Sequence, residues 1–208
     1  MKHINVSVFV PHAGCPHQCS FCNQRSISGA ASQPTAQDVR DAALVAMRSS
    51  PEGIKDGEIA FFGGSFTAID RDYMTELLSA AQEFIGENGF RGIRISTRPD
   101  AVDGEICDIL EKYRVTAVEL GAQSTDDRVL AMNRRGHTRE DIFRSARLLK
   151  ERGFETGLQM MTGLYGSTDE DCMNTARDII SLAPDTVRIY PTVVIEHTEL
   201  AELFRRGE

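Results

Sequence analysis

No stretch of this chain is apolar and long enough to cross a bilayer. Its first residues, Met1-Lys2-His3-Ile4-Asn5-Val6, lack the apolar core and small-residue cleavage site of an export signal. Low-complexity tracts, linkers and sequence repeats are missing too, so one domain over residues 1–208 is the expectation. Positive charge is in deficit: 23 Lys and Arg stand against 31 Asp and Glu, a net charge of −8. That excludes a basic footprint spread over the chain, and a nucleic-acid partner would need a local patch or another domain. Cysteine is scarce and odd in number, five in all. With no export signal, this argues against a disulfide framework and for a cytoplasmic protein whose thiols ligate metal. What remains is an ordinary composition, 41% hydrophobic and 26% charged, in a chain long enough to bury a substantial core.

Three of the five cysteines fall within eight residues, Cys15-Pro16-His17-Gln18-Cys19-Ser20-Phe21-Cys22. They follow a β-branched run, Ile4 to Val10, that reads as a strand broken by Pro11 and Gly14. The thiols thus project from a loop at the C-terminal end of a strand, the edge where α/β barrels build their sites. Closely spaced thiolates suit a soft metal. A structural zinc site closes with four ligands, which His12 or His17 could complete. A [4Fe–4S] cluster normally takes four cysteines, so three would leave one iron open to a substrate or cofactor. Cys107 and Cys172 sit in helical segments among apolar residues and read as packed thiols.

Beyond the cysteines the chain alternates strand and helix. A capping pair, Thr35 with Asp38, opens a helix through Val39, Ala43 and Met47, which Ser49-Ser50-Pro51-Glu52-Gly53 ends. Glu58 to Phe62 reads as a strand, followed by a helix carrying Met74, Leu77, Leu78, Ala81 and Ile85. Further strands are predicted at Gly92–Ser96, Val115–Leu120, Phe154–Met161 and Thr186–Tyr190. Helices between them are marked by Ile106, Ile109 and Leu110, by Val129 and Met132, by the pair Thr138 and Asp141, and by the pair Thr168 and Asp171. Six strands alternating with helices imply a parallel sheet with right-handed crossovers. Periodicity leaves two forms open, a doubly wound sheet and an incomplete barrel. The last residues, Arg205-Arg206-Gly207-Glu208, fall within a charged helical segment and read as a cut rather than a finish.

Residues just after each strand share one rim in such folds. Here they include Gly63-Gly64-Ser65, either a tight turn or a place where backbone meets a ligand. They also include Gln123 and, within an apolar run, Gln159. A buried amide needs partners, and Gln159 could find them in backbone, solvent or a ligand. Arg135 lies in a basic turn beside Arg134 and is either solvated or an anion contact.

Taken in order, Cys15-x3-Cys19-x2-Cys22, Phe62-Gly-Gly-Ser65, Ser96-Thr-Arg-Pro-Asp100, Glu119-Leu-Gly-Ala-Gln-Ser124, Arg135-Gly-His-Thr138 and Gln159-Met-Met-x-Gly-Leu164 resemble the motifs of the radical S-adenosylmethionine (SAM) superfamily, and of its Elongator-like members in particular. Oxygen-independent coproporphyrinogen oxidases are a more distant likeness. The resemblance covers nearly the whole chain and implies a partial (βα)6 barrel. It implies a [4Fe–4S] cluster on Cys15, Cys19 and Cys22, with SAM bound across the strand ends through Phe21, Gly63, Gly64, Ser65, Gln123, Arg135 and Gln159. Reductive cleavage of SAM to a 5′-deoxyadenosyl radical is the implied activity, on a tRNA or a small metabolite. An external electron donor of flavodoxin or ferredoxin type is the implied partner. Ser65 replaces the acid of the family's Gly-Gly-Glu-like motif, and His197 stands where similar chains carry glycine. A non-catalytic iron–sulfur module for electron transfer or sensing, and a zinc-stabilised binding protein, are the competing readings.

Overall fold

The computed structural model describes residues 4–11, 15, 19–23, 32–50 and 54–208. The expectations for Gly14, His12, His17 and the helix stop at Pro51-Glu52-Gly53 lie outside these residues.

Six strands form one sheet: β1 (Ile4–Val10), β2 (Gly57–Gly63), β3 (Gly92–Thr97), β4 (Val115–Gln123), β5 (Glu155–Thr162) and β6 (Thr186–Pro191). The helices are α1 (Ala36–Ser49), α2 (Arg71–Gln82), α3 (Gly104–Lys112), α4 (Asp127–Met132), α5 (Arg139–Glu151), α6 (Asp169–Ser181) and α7 (Glu199–Arg205). Single 3-10 turns at Phe66–Ala68 and Pro99–Ala101 follow β2 and β3. No helix among the described residues is long and apolar enough to cross a membrane.

Strand order decides between the two open forms. All pairings are parallel and run β1-β2-β3-β4-β5-β6, in the order of the chain. A doubly wound sheet reverses direction at its centre, which puts helices on both faces. Without a reversal, right-handed crossovers put every helix on the same face. The twisted sheet then curls away from its helices into a half-barrel. This is the partial (βα)6 barrel.

The two faces differ in chemistry. Ile59, Phe61, Ile93, Ile95, Val118, Leu120, Leu158 and Met160 point outward and pack with Val39, Met74, Leu77, Leu78, Leu110, Ile142 and Leu149 of the helices. The alternate positions, Glu58, Arg94, Glu119, Gln159 and Arg188, line the concave face, since successive side chains of a strand point to opposite sides. The predicted capping boxes are all formed, at Thr35 with Asp38, Thr138 with Asp141 and Thr168 with Asp171.

Two boundaries differ from the sequence reading by more than one residue. β4 does not stop at Leu120 but pairs through Gln123, with a register shift between Gly121 and Gln123. The glycine that reads as a stop instead marks a bulge. Helix α2 ends at Gln82, so Ile85 is not on it; Ile85 forms an isolated parallel bridge to Phe90 across the turn that holds Gly86 and Gly89.

Candidate functional site

The C-terminal strand ends bring the cysteine loop beside the rim residues. Cys15 is exposed, and Cys19 and Cys22 are half-buried. The amide of Cys22 donates to the carbonyl of Cys19 at 3.1 Å, closing a turn that carries Phe21, itself half-buried. Surrounding protein pushes the Cys15 thiol pKa up, while the Ser65 amide pulls it down, the Cys19 side chain pushes it up, and the charges of Arg98 and Arg135 pull it down; the net shift is upward. These influences place Cys15 next to Cys19 and to the β2 rim.

Arg135 joins the cysteines to β4. Its Nη1 lies 3.2 Å from the Cys19 sulfur and its Nη2 donates to the Gly121 carbonyl at 2.6 Å. Its Nε, buried, has no partner. The solvated alternative therefore fails: Arg135 is turned inward, while Arg134 takes the exposed position and pairs with Glu199 at 2.5 Å.

Gly63 has φ +116°, where L side chains are strained, and a Cβ there would stand 2.8 Å from the Val10 carbonyl oxygen. The Gly64 amide donates to that same oxygen at 2.8 Å. The pair thus lets the end of β2 press against the end of β1, directly before the cysteine loop. The side chain of Ser65 is committed inside the protein. Its Oγ lies 2.8 Å from the Thr97 Oγ1 and accepts from the Arg98 amide at 3.1 Å. Only its backbone faces the cysteines.

Gln123 ends β4 in the left-handed region, at φ +68°, with its Oε1 buried and unpaired. Such a conformation costs a non-glycine residue free energy and marks functional positions. Gln159 is half-buried, and its Nε2 donates to Glu119 Oε2 at 2.7 Å. That carboxylate, which opens the Glu119–Ser124 motif but was given no role from sequence, also accepts from Arg188 at 2.7 Å and from Arg94 at 3.4 Å. Arg94 extends the network to Glu58 at 2.7 Å and to Glu155. The signal was present in Ile93-Arg94-Ile95, where a charge between two outward residues must face the concave side.

His137 is 3% exposed, and burial, aided by the Arg135 charge, drops its pKa to about 4. The ring is neutral, so the Nε2 that lies 3.1 Å from the Ala122 carbonyl carries the proton and donates. Cys107 is fully buried on α3, its thiol raised to about 11 by burial, in keeping with a packing role. Cys172, half-buried on α6, lies 3.5 Å from the Ser167 hydroxyl. Tyr190 is exposed at the end of β6, its hydroxyl 3.3 Å from Arg188 Nη1. His197 has φ +62°, a conformation that glycine adopts without strain.

Do these residues fit a cluster and SAM? Buried polar atoms without partners are rare in folded proteins, and a bound water or ligand is one way they are satisfied. Here Gln123 Oε1, Arg135 Nε, Ser96 Oγ and Thr192 Oγ1 are such atoms, all at or beside strand ends. An acceptor, a cationic donor and two hydroxyls match an amine, a carboxylate and ribose hydroxyls. Among the described residues no three His, Cys, Asp or Glu side chains gather tightly enough for a single ion. A cubane spreads three thiolates over three irons and so asks for wider spacing than one zinc ion does. The donor set fits.

The family model of the Radical SAM superfamily matches residues 9–179. The chain belongs to this superfamily of enzymes. A tRNA uridine(34) acetyltransferase of Methanocaldococcus jannaschii is 33% identical over 73% of this chain and 32% of its own length. The archaeal Methanocaldococcus infernus Elp3, solved with an N-terminal deletion, superposes with a TM-score of 0.77 at 26% identity, over 99% of this chain and 49% of that one. Coproporphyrinogen III oxidase (HemN) from Escherichia coli shares the fold, with a TM-score of 0.67 at 19% identity over 96% of this chain and 46% of that one. The chain thus spans about a third of the first curated relatives and about half of these solved neighbours.

Proposed function

We propose that this chain holds a [4Fe–4S] cluster on Cys15, Cys19 and Cys22, binds SAM across the strand ends, and acts as a cytoplasmic radical SAM enzyme fed by a flavodoxin- or ferredoxin-type donor. The observation that carries the reading is the Arg135 side chain. It touches Cys19 with one nitrogen and keeps another buried and unpaired, beside the unpaired Gln123 carbonyl. A cluster held on these three thiolates would supply the one electron that cleaves the sulfonium of SAM to methionine and a 5′-deoxyadenosyl radical.

The chain's own residues do the rest. The free Arg135 Nε–H offers a charged donor to the carboxylate of SAM. Gly63 lets the end of β2 close on β1, which sets the Gly63-Gly64 backbone at the rim that SAM would cross. Gln123 Oε1 offers an acceptor to an amine or hydroxyl. Ser65 contributes through its backbone, since its hydroxyl is used by Thr97 and Arg98. Glu119 orients the Gln159 amide, and Phe21, between Cys19 and Cys22, would line the SAM site. Holding reacting groups in place is worth several kcal/mol of barrier.

The substrate that the curated relatives favour is a tRNA nucleoside, as their names state for them. With a net charge of −8, this chain would meet nucleic acid only through a local patch.

The test is anaerobic reconstitution with iron and sulfide, then incubation with dithionite and SAM. Chromatography should show 5′-deoxyadenosine and methionine from the wild type and none from Cys22→Ala. Cluster and SAM binding without product would favour an electron-transfer or sensing module. A colourless protein carrying zinc would favour the binding-protein reading.

A further inference from the structure

Ser20, between Cys19 and Cys22, has each of its polar groups tied to a distant part of the chain. Its amide donates to the Asn133 carbonyl at 3.2 Å, and its hydroxyl to the Asn133 Oδ1 at 2.8 Å. Its carbonyl accepts from the Leu200 amide, at the start of α7, at 2.8 Å. Ser20 is buried, and Asn133 is fully enclosed.

Asn133 is equally committed. Its Nδ2 donates to the Val129 carbonyl at 2.8 Å and to the Tyr165 carbonyl at 2.9 Å. Both amide hydrogens and the amide oxygen are therefore used. A flipped amide would set its oxygen against two carbonyls, so only one orientation works. Two residues on, Arg135 reaches the Cys19 sulfur. The turn after α4 thus grips two successive residues of the cysteine loop, Cys19 by its sulfur and Ser20 by its backbone and hydroxyl.

We propose that Asn133 is a positioning residue for the cluster: it holds the Cys19–Cys22 turn in ligand geometry before iron arrives, and Ser20 is the residue through which it acts. The inference rests on the cluster reading above. A pre-ordered turn spares the bound state the cost of fixing loose backbone, which the cluster would otherwise have to offset. Losing a buried hydrogen bond of this kind corresponds to roughly 5- to 30-fold in an equilibrium.

The experiment uses Ser20→Ala, Ser20→Thr, Asn133→Ala and the double alanine variant, each without iron and after reconstitution. In the iron-free proteins, amide exchange of the peptide spanning residues 19–23 should quicken in Ser20→Ala and Asn133→Ala. Peptides of the β3–β4 core should not change. In the reconstituted proteins, iron release to a chelator should quicken roughly 5- to 30-fold in each alanine variant. The double variant should be no worse than the worse single one, because both remove one contact. Ser20→Thr keeps the hydroxyl and should behave as wild type. Should Asn133→Ala fail to fold, Ser20→Ala, which empties only a hydroxyl, decides alone. Normal iron uptake with wild-type release and exchange in Ser20→Ala, additive losses, or Ser20→Thr as poor as Ser20→Ala would overturn this inference alone. A wild-type protein that protects the turn yet takes up no iron would overturn the cluster reading, and this inference with it.

Discussion

Replacing Arg94 by methionine should destabilise the protein by about 3 kcal/mol at neutral pH, the low end of what a broken buried ion pair costs. The Arg94 side chain is 5% exposed and lies between three carboxylates, Glu58 at 2.7 Å, Glu155 at 2.5 Å and Glu119 at 3.4 Å. Methionine fills much of the same volume, so packing is nearly conserved and the effect is one of charge. It leaves Glu58 and Glu119 enclosed. Arg91 still reaches Glu58 at 2.7 Å and Arg188 still reaches Glu119 at 2.7 Å, but both arginines are partly in solvent, which is why the low end applies. Burial alone would raise the Glu58 pKa; hydrogen bonds from Arg91 and Arg94 outweigh it and hold the carboxyl below its ordinary 4.5. A depressed carboxylate contributes stability above its unfolded pKa and loses it as pH falls through the lowered folded value. Without Arg94 the balance tips toward burial, so protonation relieves the variant while it harms the wild type. Urea unfolding should therefore show a wide gap between the two at pH 7.5 and a narrower one near pH 4. Arg94→Met combined with Glu58→Gln should lose less than Arg94→Met alone. A loss under about 1 kcal/mol at pH 7.5, far below the cost of an orphaned buried charge, or additive losses in the double variant, would refute this account of the concave face.

Two further outcomes are expected. His137, with a folded pKa near 4 against an ordinary 6.5, must charge a buried ring in acid. Its stability contribution is complete above pH 6.5 and drains as pH falls toward 4, on the order of 3 kcal/mol. His137→Gln should remove that share of the acid loss; equal urea-midpoint slopes for both proteins across pH 7 to 4.5 would sink the argument. Exposed His197, at φ +62°, should give way to glycine with a gain of up to about 1 kcal/mol and a melting temperature raised by a few degrees. A lower melting temperature for His197→Gly would mean that the imidazole has a stabilising contact worth more than the backbone relief.

Much of this architecture could be read from local patterns because local chemistry makes it. Thr35 with Asp38 and Thr168 with Asp171 start helices by bonds that span three residues, so their evidence is contiguous. The cysteine triplet is contiguous as well. What escaped was non-contiguous. Whether six strands curl or wind both ways depends on which edge each joins, and periodicity carries no such information. Gly121 read as a stop because its role in a bulge depends on β5 beside it. That the Ser65 hydroxyl is held by Thr97, at the end of the next strand, could not be read either, because the two lie 32 residues apart. Ser20 and Asn133 lie 113 residues apart, and only the fold brings them together.

The pairing of every strand with its sequence neighbours has a bearing on how the protein is made. A chain that emerges from the ribosome can add each strand–helix unit to the one before it, with no strand waiting for a distant partner. The cysteine loop is the exception. It is synthesised first, yet Asn133, which grips it, lies 113 residues further along, and Leu200 later still. The scaffold can grow strand by strand, but Ser20, between two of the thiols, gains its anchors only once the chain has reached Asn133 and then Leu200.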